Sequence, residues 1–346
     1  MQSARSLHAA AMAAFALCIV VATSPAGAEP VLNLYSARHY QTDEALYENF
    51  TKATGIRINR IEAGDEQLLE RIRSEGAMSP ADVLLIVDAA RLWSAQQQGL
   101  FQPVKSAVLA DRIPASMRDP DGNWFGFSSR ARVIVYNKSA VNPADVPTYE
   151  SLAATKNRGK VCTRPGSHPY NLSLVAALIA HNGEASTEEW AKAVVANMAR
   201  PPRGGDTDQI KGVAAGECAI ALTNTYYYVR LLRSSKPEER EWAAKTGIVW
   251  PDQSTFGTHI NVAGGGVLKS APHRENAIRF LEYLASDEAQ AYFANGNNEW
   301  PAVKGAVARN PELQSLGSFK ADPLPIATLG KNTPAAQKLL DRAGWK

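Results

Sequence analysis

Short apolar runs alternate with amphipathic stretches along most of the chain. Residues 31–35 read as a first strand. An amphipathic pattern over 43–53, closed by Gly55, predicts a helix. Residues 56–61 alternate apolar and polar, as a strand does, and 66–73 return to the helical period. The continuous apolar run 83–87 has the look of a buried parallel strand, and 90–98 is helical again. This β-α-β-α-β-α rhythm predicts a parallel sheet with helices on both faces.

A long extended segment, 124–136, then carries the chain away, and Pro143 and Pro147 punctuate the entry to a second half. The rhythm restarts with a strand at 159–162 and a helix at 172–180. Ser186 and Glu189 have capping-box spacing, which predicts a helix opening there and running to about 198. A short helix at 210–215, a strand at 218–222, a helical segment at 229–233 and a strand at 247–250 complete this half. Residues 257–268 form a second extended run, read as the return crossing. Its Gly264-Gly265-Gly266 is expected either to absorb rotation at a hinge or to serve a close-packed strand that has no room for side chains. Helices at 274–284 and 288–294, a turn at 295–298 and a helical cover after Pro301 finish the chain. The expected architecture is α/β: a two-lobe clamshell joined by two extended hinge crossings, with its ligand in the cleft. One lobe comprises 29–130 and 264–305, the other 131–263 and 306–346.

Composition narrows the function. The 346 residues are 45% hydrophobic and 21% charged, a globular balance. Residues 1–28 have the form of a secretory signal: Arg5, an apolar stretch over 9–23, and Ala26-Gly27-Ala28 as the cleavage site. The apolar stretch is short for a membrane span. Cleavage after Ala28 would leave an exported, periplasmic chain. The formal charge of +3 includes only one basic residue from that segment, so no basic block speaks for nucleic acid. A monomer is expected. Cys162 and Cys218 remain after cleavage, and the oxidising compartment favours a disulfide between them.

The candidate chemistry lies in Asn224-Thr225-Tyr226-Tyr227-Tyr228, where an apolar strand gives way to a helix. Ligands of open α/β sheets bind at such strand ends. Neighbouring residues of a regular helix point apart, so convergence of two phenols calls for an irregular junction. Tyr170 follows another strand, and His39-Tyr40 follow the first. Together they offer one imidazole and four phenols. Phenol titrates near pH ~10, but a bound cation stabilises the anion. Hard anionic oxygens suit Fe(III) better than zinc, which prefers nitrogen and sulfur. Four phenolates on a 3+ ion leave one negative charge, which Arg130 or Arg230 would offset. Only one of Arg130 and Arg132 is expected to reach the cleft. The plainer alternative is that the tyrosines pack between lobes or stack on an organic ligand. Tyr228 is read as packing, and His168, His181, His259 and His273 as structural. HExxH, GxSxG, Walker A and dinucleotide fingerprints are all missing from the sequence, so nothing supports an enzyme.

The stretches Asn33 to Tyr40, Ser79-Pro80-Ala81-Asp82-Val83 and Asn224 to Tyr227 resemble the periplasmic ferric-ion-binding proteins of bacterial iron(III) ABC transporters. The resemblance implies a type II solute-binding fold and Fe(III) ligation by Tyr226, Tyr227, Tyr40 and Tyr170. His39 would ligate, as in some members, or stand nearby, as in others. It also implies delivery of the iron to an ABC permease in the inner membrane. Some members carry a glutamate where this chain has Val87; its loss places the chain in the tyrosine-rich branch that depends less on an added anion. Asp88 is expected to face away. The competing class is a clamshell receptor for an organic or oxyanion solute such as a sugar, polyamine or phosphonate.

Overall fold

The computed structural model describes residues 30–38 and 42–346. The expected signal segment 1–28, His39 and Tyr40 lie outside them.

The first lobe is built as the apolar rhythm suggests. Strands β1 (Val31–Ser36), β2 (Arg57–Glu62) and β3 (Val83–Ile86) are parallel, in the order β2-β1-β3. Helices α1 (Asp43–Thr54), α2 (Asp65–Glu75) and α3 (Ala89–Gln97) connect them, followed by α4 (Ala107–Arg112). Gly55 closes α1 with φ 72°, the left-handed conformation that glycine adopts without strain. Alternate residues of the strands feed opposite cores. Leu32, Leu34, Val83 and Leu85 pack with Phe50 and Phe280, while Tyr35, Leu84 and Ile86 pack with Leu68 and Leu92.

Strand β4 (Phe125–Asn137) is long enough to serve two sheets. Its first half pairs antiparallel with β8 (Ile260–Val267), which in turn pairs antiparallel with β3. Its second half pairs with β6 (Ile220–Asn224) and β7 (Thr246–Val249), and β5 (Val161–Cys162) runs parallel to β6. Short β9 (Trp300–Pro301) lies against the first half. The second sheet is covered by α5 (Pro169–Asn182), α6 (Glu184–Ala196), α7 (Asp206–Ala214), α8 (Thr225–Leu232) and α9 (Pro237–Lys245). Ile134, Leu222, Leu174 and Trp190 fill one face; Val133, Val135, Ile210 and Leu231 fill the other. Helices α10 (Arg274–Leu284) and α11 (Asp287–Asn297) return to the first sheet. Helix α12 (Pro311–Gln314) sets Leu313 against Val229, and α13 (Ile326–Ala343) packs Leu329 near Leu92 and Leu339 near Leu174, so it spans the helical layers of both sheets.

The structure departs from the expected elements at three points and favours the close-packing alternative for the glycine triplet. The capping box at Ser186 does not start a helix, because Gly183 (φ 79°) breaks α5 and α6 begins one residue later. Helix α9, opened by Pro237, has no counterpart in the sequence reading. The turn expected at 295–298 is mostly helix, and α11 ends only where Asn298 turns left-handed at φ 59°. The glycine triplet lies in mid-sheet, with Gly264, Gly265 and Gly266 opposite Ile86, Leu85 and Leu84. A Cβ there would run into the carbonyl oxygens of Phe125, Leu84 and Asn123 respectively. Close strand packing accounts for all three without a hinge. The expected bridge between Cys162 and Cys218 is present, tying β5 to the approach to β6.

Candidate metal centre

Strand β6 delivers the chain directly into α8. Asn224 has extended backbone (φ −86°, ψ 143°) and is the N-cap, but its side chain accepts from Arg132 (3.2 Å) and not from the helix. Its N–H donates to the Asp206 carboxylate at 2.7 Å. Tyr226 and Tyr227 thus fall in the first turn of α8. Their ring centroids lie 4.2 Å apart with planes tilted by 31°, so the pair shares one side of a helix start, where an irregular junction had been expected. Tyr228 turns inward and donates to the carbonyls of Thr246 (2.8 Å) and Ala243 (3.1 Å), the packing role expected of it.

Tyr170 comes from the start of a different helix. Pro169 occupies the first turn of α5, and His168 caps it by accepting the Tyr170 N–H at 3.2 Å. Burial, then Arg164 and Arg132, depresses the His168 pKa to about 3, which keeps the ring a neutral acceptor. Asn171 pins the preceding loop by donating to the carbonyls of Arg164 (2.9 Å) and Pro165 (3.1 Å). The result is a hydrogen bond of 2.9 Å between the hydroxyls of Tyr170 and Tyr226.

A cavity of about 290 Å³ opens over these phenols. Tyr170, Tyr226, Tyr227, His168 and Arg230 line one side; Ala37, Val87 and Asp88 line the other. Val87 offers no donor atom. Asp88 borders the cavity, but its carboxylate turns away as expected, capping α3 (2.8 Å to the Ala90 N–H) and accepting from Asn261 (2.8 Å).

The electrostatics are set by arginines beneath the tyrosines. The guanidinium carbons of Arg164, Arg130 and Arg132 stand 5.0, 5.7 and 5.9 Å from the Tyr170 ring centroid. Residues two apart on a strand share a face, so Arg130 and Arg132 both reach the site, contrary to expectation. Arg130 is fully buried 3.9 Å from Glu299, and none of its side-chain nitrogens has a hydrogen-bond partner among the described residues. Arg230 lies 5.1 Å from the Tyr227 ring and donates to Thr207. Burial raises the Tyr170 pKa, and Arg130 opposes that rise; the free phenol therefore stays protonated at neutral pH.

Among the described residues, no group of three or more His, Cys, Asp or Glu side chains is placed to hold a metal. His259, His181 and His273 are engaged elsewhere, with Ser173 (2.8 Å), Asp322 (2.8 Å) and Asp82 (3.0 Å). The sequence reading missed Arg164 and Asp206. Neither sits in a motif, and their nearness to the tyrosines comes only from tertiary packing.

Residues 45–323 match the family model for the bacterial extracellular solute-binding protein. The chain belongs to that family. Among curated relatives of this solute-binding protein is iron uptake protein A2 of Synechocystis, 50% identical over 95% of this chain and 94% of the relative. The Fe(3+)-binding periplasmic protein of Serratia marcescens is 27% identical over 98% of both chains. Among solved structures, the Trichodesmium protein IdiA (FutA) in complex with iron and citrate superposes with a TM-score of 0.89 at 53% identity, covering 91% of this chain and 100% of the other. The ferric binding protein from Campylobacter jejuni gives 0.86 at 37% identity, with 91% and 100% covered. The two-sheet α/β architecture is thus the two-lobe solute-binding fold of ferric-binding proteins.

Proposed function

We propose that this protein captures ferric iron in its cleft outside the cytoplasm and delivers it to an ABC permease in the inner membrane, acting as a monomeric carrier and not as an enzyme. The observation that carries this reading is the convergence of Tyr170, Tyr226 and Tyr227 on one small cavity underlain by arginines. The iron-uptake and Fe(3+)-binding relatives support it. The Serratia marcescens relative is named a periplasmic protein, in keeping with residues 1–28 acting as a signal cleaved after Ala28.

Tyr170, Tyr226 and Tyr227 are the ligands from the second lobe (131–263 and 306–346). His39 and Tyr40, which come two and three residues after cavity-lining Ala37, are the ligands from the first (29–130 and 264–305). Iron lands on the three phenols, loses water, and lobe closure adds the rest. Binding expels the phenolic protons, so acid opposes loading. Arg130 and Arg230 offset the surplus negative charge of a four-phenolate Fe(III) site. Val87 in the wall fits a site filled by phenols more than by an added anion.

Loading the mature protein with ferric citrate, desalting it and measuring metal tests the reading. One retained iron per chain is expected. A protein that retains none, and whose melting shifts instead with a sugar, polyamine or phosphonate, would be the organic-solute receptor.

A further inference from the structure

The three phenols of the second lobe come from two helix starts, and a single buried carboxylate ties those starts together. Asp206, at the start of α7, is fully buried. Its Oδ2 accepts from the Arg132 guanidinium (2.9 Å) and from the Asn224 N–H (2.7 Å), and its Oδ1 accepts from Arg164 (3.2 Å). Each arginine reaches on to a tyrosine-bearing segment. Arg132 donates to Asn171 (2.7 Å), the residue after Tyr170, and to Asn224 (3.2 Å), two before Tyr226. Arg164 lies over the Tyr170 ring at 5.0 Å.

We propose that the Arg132–Asp206–Arg164 clamp is the positioning device that holds Tyr170, Tyr226 and Tyr227 at the spacing one metal ion requires. This rests on the ferric reading above. The chemistry is a consequence of the geometry. A carboxylate accepts from several donors at once, and guanidinium is a planar fork with fixed donor directions, so the pair defines distances that a flexible lysine would not. Two cations on one carboxylate leave a surplus positive charge against the phenols, where anionic oxygen must form when iron binds. A purely structural ion pair would need one arginine. Arg164 is the second, and its guanidinium stands over the ring of a proposed ligand, Tyr170.

The experiment compares wild type, R164Q, R164K and D206N. It reads ferric affinity by citrate competition, the visible phenolate-to-iron band, and the melting temperature of the iron-free protein. Outer partners of metal ligands typically contribute 10–100-fold in affinity. R164Q is expected to lose about that much and to shift the band, with iron-free melting nearly unchanged; R164K is expected to recover only part. Should D206N not fold, the Arg164 pair decides. Wild-type affinity and an unmoved band in R164Q would overturn the clamp, as would an affinity loss matched by an equal loss of iron-free stability. A wild-type protein that stays colourless with ferric citrate would instead overturn the ferric reading, and the clamp's role in metal binding with it.

Discussion

The hydroxyls of Tyr170 and Tyr226 are 2.9 Å apart, although 56 residues separate them in sequence. Each enters from the first turn of its own helix, α5 or α8. Two phenols this close, Tyr226 buried and Tyr170 half-buried, share a hydrogen bond when protonated, and a cation replaces that proton when both ionise. Tyr170→Phe removes one donor atom and leaves the ring in place. Ferric affinity by citrate competition should fall at least about tenfold, or ~1.4 kcal/mol. The iron-free protein loses one hydrogen bond, about 1 kcal/mol, so its melting should barely move.

The disulfide closes a loop across a sequence separation of 56 residues, between the strands that lead toward Tyr170 and Tyr226. Chain entropy assigns such a loop about 4 kcal/mol of stability. The paired change Cys162→Ser/Cys218→Ser should lower denaturant stability by up to that amount. A reducing agent should destabilise the native protein similarly and leave the double variant unaffected.

His259 is buried beside Ser173, and burial, followed by Arg132 and Arg130, depresses its pKa to about 3. In the unfolded chain the same group titrates near ~6.5. Below that value the unfolded state binds a proton that the folded state refuses, so stability is present at neutral pH and is lost on acidification. The expected loss is about 2–3 kcal/mol by pH ~4.5. Urea unfolding at neutral pH and at that pH should show it in wild type, and His259→Gln should remove this part of the acid sensitivity.

Gly265 lies between β3 and β4, where a Cβ would meet the carbonyl oxygen of Leu84 and the Leu85 side chain. Gly265→Ala should destabilise the protein by about 1–3 kcal/mol, since the sheet must shift to admit it. A thermal melt measures this directly. An unchanged melt would mean that the triplet's role is conformational freedom.

Much of this fold could be read from local pattern. The continuous apolar run that became β3, and the long extended run that became β4, are recognisable because their periodicity is imposed by burial. Tyr226 and Tyr227 stood out because adjacent phenols at a strand end are unusual, and Cys162 and Cys218 because the compartment favours pairing. What escaped notice depends on distant partners. Arg164 and Asp206 are ordinary loop and helix-start residues until folding sets them beside Tyr170 and Asn224. Helix α9 is a polar segment whose buried contact is chiefly Ala243, so its apolar signal is weak. The Ser186 box failed because a glycine break three residues earlier had already opened the helix.

Everything proposed for this cleft depends on Fe(III) binding to the phenols of Tyr170, Tyr226 and Tyr227. The decisive experiment is the visible absorption spectrum of the mature protein titrated with ferric citrate, beside the Tyr226→Phe/Tyr227→Phe variant. The wild type should develop a broad phenolate-to-iron charge-transfer band that saturates at one iron per chain, and the double variant should lack it. A colourless wild-type protein at saturating iron, or a double variant with the same band, would contradict ferric ligation by these tyrosines.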